Sequence, residues 1–337
     1  KLSFQCMFIL LVPFLFYGQE LHPSKSDLEM IESEIDSIMD YAIAKKAFPG
    51  AQLLVSFKND IIFHKTYGYH SYDNSVSVDP DDIYDLASVT KIAGPLLGIM
   101  KLYEEGKIDL DAPFSRYWKS WKQRKDKKDI TLRELLAHQS GMEPYIVFLN
   151  EATKKGAWKK RFLRPTKSNR FSLQVYDSIY VNKRFNRKVF RKIKRSKVRE
   201  EKTYVYSGLA SLIYPKLIEE LTGEDYQSYL KTNFYQPLGC HTLGYNPVRS
   251  YLPNIVPTEM DTLFRKDLVR GFVHDENEAL LGGVSGNAGL FSRASDLAIL
   301  MQMLVNKVEY DGKRYLKAST IEEFIKVQYP ENQNRRG

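Results

Sequence analysis

The chain predicts an α+β fold in which an antiparallel hairpin packs among many helices. Three observations carry this. Ala51 to Phe57 and Ile61 to Tyr69 are strand-like runs joined at Asn59-Asp60, the pattern of a hairpin. A helical periodicity precedes them. Several amphipathic helical stretches follow, and nothing strand-rich comes late in the sequence. A two-stranded sheet is marginal alone. The expectation is therefore that the sheet's C-terminal strands lie beyond Gly337 and are missing from this chain.

The elements read in order as follows. Ser26-Asp27-Leu28-Glu29 is a capping box, and Ile31, Ile35, Ile38, Met39 and Ala42 continue a helix. Phe48-Pro49-Gly50 stops it. A helix is expected from Ser88 to Glu105, ending at Gly106. A short one covers Ile130 to His138 and breaks at Ser140-Gly141. Leu209 to Leu221 and Tyr226 to Phe234 are helical, divided by Thr222-Gly223. Ser295 to Val305 and Ser319 to Gln328 complete the set.

The 337 residues suffice for one large domain, and an apolar content of 43% suffices for its core. Residues 1–18 resemble a signal peptide: Lys1, then an apolar run from Met7 to Phe16 too short to span a bilayer comfortably. An uncleaved anchor is the alternative. Residues 19–337 then form the mature domain, exported to the periplasm or secreted. Export leaves Cys240 as its cysteine, which excludes an intrachain disulfide and suits a small core residue. The chain begins at Lys1 rather than Met and ends on the polar Asn332 to Gly337, so a fragment is expected.

Charge is uneven. Residues 151–202 hold 19 Lys/Arg against 4 Asp/Glu, a net +15, which leaves −6 for the rest of a chain carrying +9 overall. This basic insertion reads as a solvated segment with apolar anchors at Phe185, Val189, Phe190, Ile193 and Val198. Contact with an anionic surface is the other use for such charge. No nucleic-acid-binding motif accompanies it.

Ser88-Val89-Thr90-Lys91 follows a β-like run and opens a helix, so Ser88 and Lys91 stand one above the other on one face. A serine hydroxyl becomes a nucleophile when a neighbouring base takes its proton, and a partly desolvated lysine is such a base. The helix N-terminus favours negative charge developing at Ser88. Ser-x-x-Lys recurs at Ser228 and Lys231, inside an amphipathic stretch that reads as structural. Tyr206, in Tyr204-Val205-Tyr206-Ser207-Gly208 ahead of the Leu209 helix, supplies a second proton-transfer group.

With Ser88, Lys91 and Tyr206 together, the chain resembles the serine β-lactamase and penicillin-binding-protein superfamily. The class C-like branch, which includes D,D-carboxypeptidases, D-aminopeptidases and esterases, is the closest match. Further resemblance lies in Phe48 to Ala51, Leu86 to Lys91, Gly106 to Asp111, Ile130 to Met142, and Gly286 to Ser292 followed by Asp296-Leu297. It covers roughly residues 26 to 330. The basic segment and Val273 to Asn277 most resemble serine hydrolases of Bacteroidetes-type bacteria, where this domain is often fused to a family-3 glycoside hydrolase.

The resemblance implies a β-lactamase/transpeptidase-like fold: an antiparallel sheet flanked by helices, with a mainly helical subdomain. It implies attack by Ser88 on a carbonyl, with Lys91 and Tyr206 managing the protons and no metal or cofactor. The substrate would be an ester, a D-amino-acid amide or peptide, or a peptidoglycan-derived molecule. Partners would be that substrate, an anionic surface for the insertion, and an associated family-3 glycoside hydrolase. Two departures qualify this. Gly208 stands where the branch has Asn, which disfavours β-lactams. No Lys-Thr-Gly or His-Thr-Gly triad, which would complete the site, occurs in the sequence. A non-catalytic binding or scaffold relative, or an inactive truncated fragment, is the alternative. Gly283-Val284-Ser285-Gly286-Asn287 is one residue short of a G-x-S-x-G nucleophile turn, and no H-E-x-x-H metal motif occurs. His138 reads as a helix-end residue and His274 as structural.

Overall fold

The structure is a computed structural model and describes residues 23–247, 249–332 and 334. The expected signal peptide, residues 1–18, lies outside them. Among the described residues no helix is long and apolar enough to cross a membrane.

Helix α1 (Lys25–Ala44) starts two residues earlier than the sequence suggests. Its N-cap is Ser24, whose Oγ accepts from the Asp27 N–H at 3.2 Å while Asp27 accepts from the Ser24 N–H at 2.9 Å. The capping box is therefore Ser24–Asp27, not Ser26–Glu29. Strands β1 (Gly50–Phe57) and β2 (Asp60–Gly68) pair antiparallel. Lys58 and Asn59 connect them, both at positive φ, as a tight hairpin turn matching strand twist requires. Helix α1 lies against β2, where Asp36 accepts from Lys65 Nζ and Tyr67 Oη, each at 2.7 Å.

Strand β3 (Tyr84–Asp85) runs into a 3-10 turn at Ala87–Val89, a π-turn at Ile92–Leu96 and then α2 (Leu97–Glu104). Pro95 explains the π-turn: it has no N–H to give, and a widened turn absorbs the missing bond. Buried Leu97, Ile99, Met100 and Leu102 put α2 at the centre of the core. Gly98 lets the helix that carries Ile218 approach, since a Cβ there would stand 2.7 Å from Ile218 Cδ1. Helix α3 (Leu132–Leu136) is fixed by a Thr131–Glu134 capping box. Its Arg133 is held by Asp111 at 2.6 and 2.7 Å and by Glu323 at 2.6 Å.

The basic segment is built more thoroughly into the body than a solvated insertion. Strands β4 (Leu163–Arg164), β5 (Leu173–Tyr176) and β6 (Ile179–Val181) form a sheet with β6 in the middle, followed by α4 (Phe185–Arg195). The anchors Phe185, Val189 and Ile193 are fully buried and belong to the same core as α2; Phe190 and Val198 pack at its margin. Lys127, also fully buried, reaches into this segment. Its ammonium meets Asp126 at 2.9 Å and the Ser196 carbonyl. Desolvation lowers the Lys127 pKa, against the pull of Asp126.

Helices α5 (Tyr214–Thr222) and α6 (Tyr226–Leu230) pack on α2. Leu209 to Ile213, expected as helix, are turns; the helix begins only at Tyr214, with Pro215 in its first turn. Ser228 donates its Oγ to the N-cap Asp225 at 2.9 Å, which accounts for the second Ser-x-x-Lys structurally. Cys240 is buried as expected, its thiol pushed up to about 12 by desolvation. Strands β7 (Gly244–Tyr245) and β8 (Leu290–Ser292), with α7 (Glu276–Ala279) between them in sequence, complete the site region. β8 pairs antiparallel with both β3 and β7. Helix α8 (Ala294–Val305) covers β1, and α9 (Ala318–Ile325) covers α2.

If the basic segment shares the central core, Phe185→Ala should cost about 3–5 kcal/mol. Urea unfolding of the full chain measures this. A loss under about 1 kcal/mol would instead mark the segment as a dispensable appendage.

Candidate active site

Ser88 sits where β3 ends. Ala87, just before it, has φ 44°, an uncommon conformation for a residue with a side chain. Asp85 holds that turn: its Oδ1 accepts from the Ala87 N–H at 2.9 Å. The main chain of β8 holds it from the other side. Leu86 N–H donates to the Leu290 carbonyl at 2.9 Å, and Leu290 N–H donates to Thr90 Oγ1 at 3.1 Å. Ser88 is exposed and Lys91 half-buried.

Lys91 brings the predicted residues together. Its Nζ lies 2.9 Å from Ser88 Oγ and 3.0 Å from the Asn287 carbonyl oxygen. The same nitrogen stands over the Tyr206 ring, 5.0 Å from its centroid. One ammonium thus touches a hydroxyl, a carbonyl dipole and an aromatic face.

Tyr206 is positioned by the segment that follows α3. Val205 N–H donates to the His138 carbonyl at 3.0 Å, Ser207 N–H to His138 Nδ1 at 3.2 Å, and Gly208 N–H to the Pro144 carbonyl at 3.0 Å. Ser207 Oγ donates to the Glu143 carbonyl at 2.6 Å. The His138 ring packs on Tyr206 with centroids 4.6 Å apart. His138 is therefore more than a helix-end residue, because it fixes the backbone that presents Tyr206.

Sequence reasoning missed three residues. Asn287 is the first. A Cβ at Gly208 would stand 2.3 Å from Asn287 Oδ1, so glycine makes the space that the Asn287 carboxamide fills. An amide side chain therefore stands beside Gly208 after all, delivered from the β8 approach. Glu278 is the second. Its side chain is buried and its Oε1 accepts from Asn287 Nδ2 at 2.8 Å. Burial, and then the Asp275 carboxylate beside it, push Glu278 well above the usual carboxyl range, which favours its neutral form. Asp85 is the third. Besides holding Ala87, its Oδ2 accepts from the His274 N–H at 2.9 Å and pairs with His274 Nδ1 at 3.0 Å. His274, read as structural, ties the loop before α7 to the Ser88 turn. Ser285, the serine of the near-miss turn, is buried and its Oγ accepts from the Asn287 N–H at 3.1 Å. It supports Asn287 and is not presented to solvent.

A family model described as Beta-lactamase matches residues 35–335. The chain belongs to the beta-lactamase family. A Salmonella typhimurium protein provisionally named as a D-alanyl-D-alanine carboxypeptidase is 27% identical over 338 residues, spanning 92% of this chain and 70% of the relative. Among solved structures, the octameric penicillin-binding protein homologue of Pyrococcus abyssi superposes with a TM-score of 0.65 at 21% identity. The match covers 87% of this chain, which spans only 60% of that homologue. A class C β-lactamase of Rhodobacter sphaeroides gives a TM-score of 0.61 at 16% identity, covering 86% of this chain and 69% of that one. These likenesses show a β-lactamase/transpeptidase-like fold, an α+β arrangement of small antiparallel sheets among helices. They agree with the class expected from sequence.

The site generates two predictions. Glu278→Gln keeps a neutral acceptor for Asn287 and an N–H donor toward Asp275. It should change stability by less than about 1 kcal/mol, whereas Glu278→Ala should cost about 2–4 kcal/mol through a lost partner and a cavity. Equal losses in urea unfolding would overturn the reading of Glu278 as a neutral acceptor for Asn287.

The second concerns pH. Hydrogen bonding to Asp85 raises the His274 pKa, against the lowering effect of burial. A raised folded-state value means the stabilisation is fully present below the unfolded value of about 6.5 and fades as pH climbs through the folded one. His274→Asn should therefore lower the melting temperature more at about pH 5.5 than at about pH 9. An equal or reversed difference would remove the charged pair.

Proposed function

We propose that this chain is an exported serine hydrolase of the β-lactamase, D,D-peptidase or esterase type. The observation that carries it is Lys91 Nζ, 2.9 Å from Ser88 Oγ and directly over the Tyr206 ring. That is the proximity needed to move a proton off a hydroxyl as it attacks. In the proposed reaction the Lys91–Tyr206 pair starts one proton short, as neutral amine with phenol or as ammonium with phenolate, and takes the Ser88 proton as Ser88 Oγ bonds to the substrate carbonyl carbon. The tetrahedral oxyanion is met by the Ser88 backbone N–H at the helix start. Collapse breaks the bond to the leaving amine or alkoxide, which takes a proton back from Tyr206. Water then adds to the acyl-enzyme by the same route and releases the acid and free Ser88.

The provisional carboxypeptidase name of the Salmonella relative supports a D-amino-acid amide or peptidoglycan-derived peptide as substrate, with esters next. A β-lactam is the least favoured. The Asn287 carboxamide weakens one objection to catalysis, because the space beside Gly208 is not empty of hydrogen-bonding groups. The exposed Ser88 hydroxyl argues against a purely scaffolding role. Association with a family-3 glycoside hydrolase belongs to the same proposal, through a shared polymeric cell-wall substrate.

Acyl-enzyme trapping tests it. Incubation with a fluorophosphonate, a penicillin and an activated ester should add one probe mass, mapped by peptide analysis to Ser88. Ser88→Ala should abolish the adduct with little change in stability, and Lys91→Ala should slow it by at least about a hundredfold. A folded protein that none of the three probes labels would overturn the enzyme assignment in favour of a binding role.

A further inference from the structure

The basic segment carries a cleft of about 760 Å³ whose lining includes none of Ser88, Lys91 and Tyr206. Helix α4 forms one wall. Arg184, Arg187, Lys188, Arg191, Lys192 and Arg195 recur at spacings of three and four, so they share one face. That face is opposite the buried Phe185, Val189 and Ile193. Arg161 and Lys197 stand across from them, Ile146 and Phe162 contribute apolar surface, and Glu143 is acidic.

The charges are only partly compensated. Glu151 neutralises Lys188 at 2.6 Å and Lys192 at 2.7 Å. Among the described residues, no carboxylate lies within ion-pair distance of Arg161, Arg184, Arg187, Arg191, Arg195 or Lys197. Concentrating like charge along one helix face destabilises that helix. The arrangement gains when an anion lies along it.

Geometry narrows the anion. Arg187, Arg191 and Arg195 follow one another at about 6 Å along the axis, so the positive track is linear. Guanidinium forks on neighbouring turns suit an oxyanion with several acceptors, and a phosphate reaches two forks where a carboxylate satisfies one. The cleft is concave, and no large apolar side chain of residues 151–202 is exposed, which disfavours a bilayer surface. Single-stranded nucleic acid needs exposed stacking aromatics. Phe162, half-buried, has Arg161 over its face at 4.6 Å and Phe185 against it at 5.1 Å.

We propose that this cleft binds a soluble phosphate-bearing chain, with successive phosphates seated between neighbouring guanidiniums of α4. The site is separate from Ser88 and does not depend on the hydrolase assignment.

Fluorescence anisotropy of the full chain with a short labelled linear polyphosphate tests it. Binding should weaken steeply with salt, as release of counterions from several phosphate contacts requires. Replacing the exposed pair, Arg187→Glu with Arg191→Glu, should weaken binding by at least about tenfold. The reference pair Lys122→Glu with Lys125→Glu, exposed outside the cleft, should change it by less than about twofold. Circular dichroism checks that both variants are folded. Equal losses in the two pairs would reduce the effect to net charge and overturn the site. So would equal affinity for an oligoglutamate of matched charge, which would point to an acidic peptide. Stronger retention on phosphatidylglycerol vesicles than on polyphosphate would point to a membrane surface and likewise overturn it.

Discussion

The short pairing of β8 with β3 is the constraint on which the rest of the candidate site depends. Phe291 stands opposite Asp85, and Leu290 exchanges hydrogen bonds with Leu86 and the Thr90 hydroxyl. That pairing aims the end of β3 so that Ser88 emerges just ahead of α2, whose Leu97, Ile99 and Met100 are fully buried. It also fixes the chain just before β8, which places the Asn287 carbonyl 3.0 Å from the Lys91 ammonium. A strand of three residues thus positions both the nucleophile turn and the group that steers its neighbouring lysine. Buried backbone groups that lack water are satisfied by such pairing or not at all, so the geometry has little freedom.

The electrostatics around this pairing divide into a polar inner set and a charged outer one. Lys91 contacts a hydroxyl, a carbonyl and an aromatic face. Glu278, buried behind Asn287 where burial favours its neutral form, orients the carboxamide through its Oε1. Ionised groups appear one layer out, where Asp85 pairs with His274 and Asp275 caps α7.

The basic segment shows one sequence stretch serving two purposes on opposite faces of a helix. One face of α4 joins the central core through Phe185, Val189 and Ile193. The other presents arginines to an open cleft. Burying the apolar face fixes the position of every arginine, so the surface charge is held on a rigid element rather than on a loop.

Much of this was legible in the sequence because local physics determines it. The β1–β2 hairpin follows from two strand-like runs around Asn59, and α3 from the short helical pattern between Ile130 and His138. Ser88 and Lys91 meet because a spacing of three on a helix leaves them no other relation. The anchors of α4 follow from apolar residues four apart. Other features were not legible, since they join residues distant in the chain. Asn287 reaches Lys91 across 196 positions, and Asp85 reaches His274 across 189. Neither pair has a periodicity or a spacing to announce it. The helical pattern from Leu209 misled for the same reason: apolar residues there are buried as turns by contacts with the core, and burial alone does not specify a helix. Local periodicity therefore decided which side chains could act as a unit along one element. Only the folded chain decided which carbonyl, carboxyl and amide would surround them, because those contacts are made by closure of long loops and the burial that rewards it.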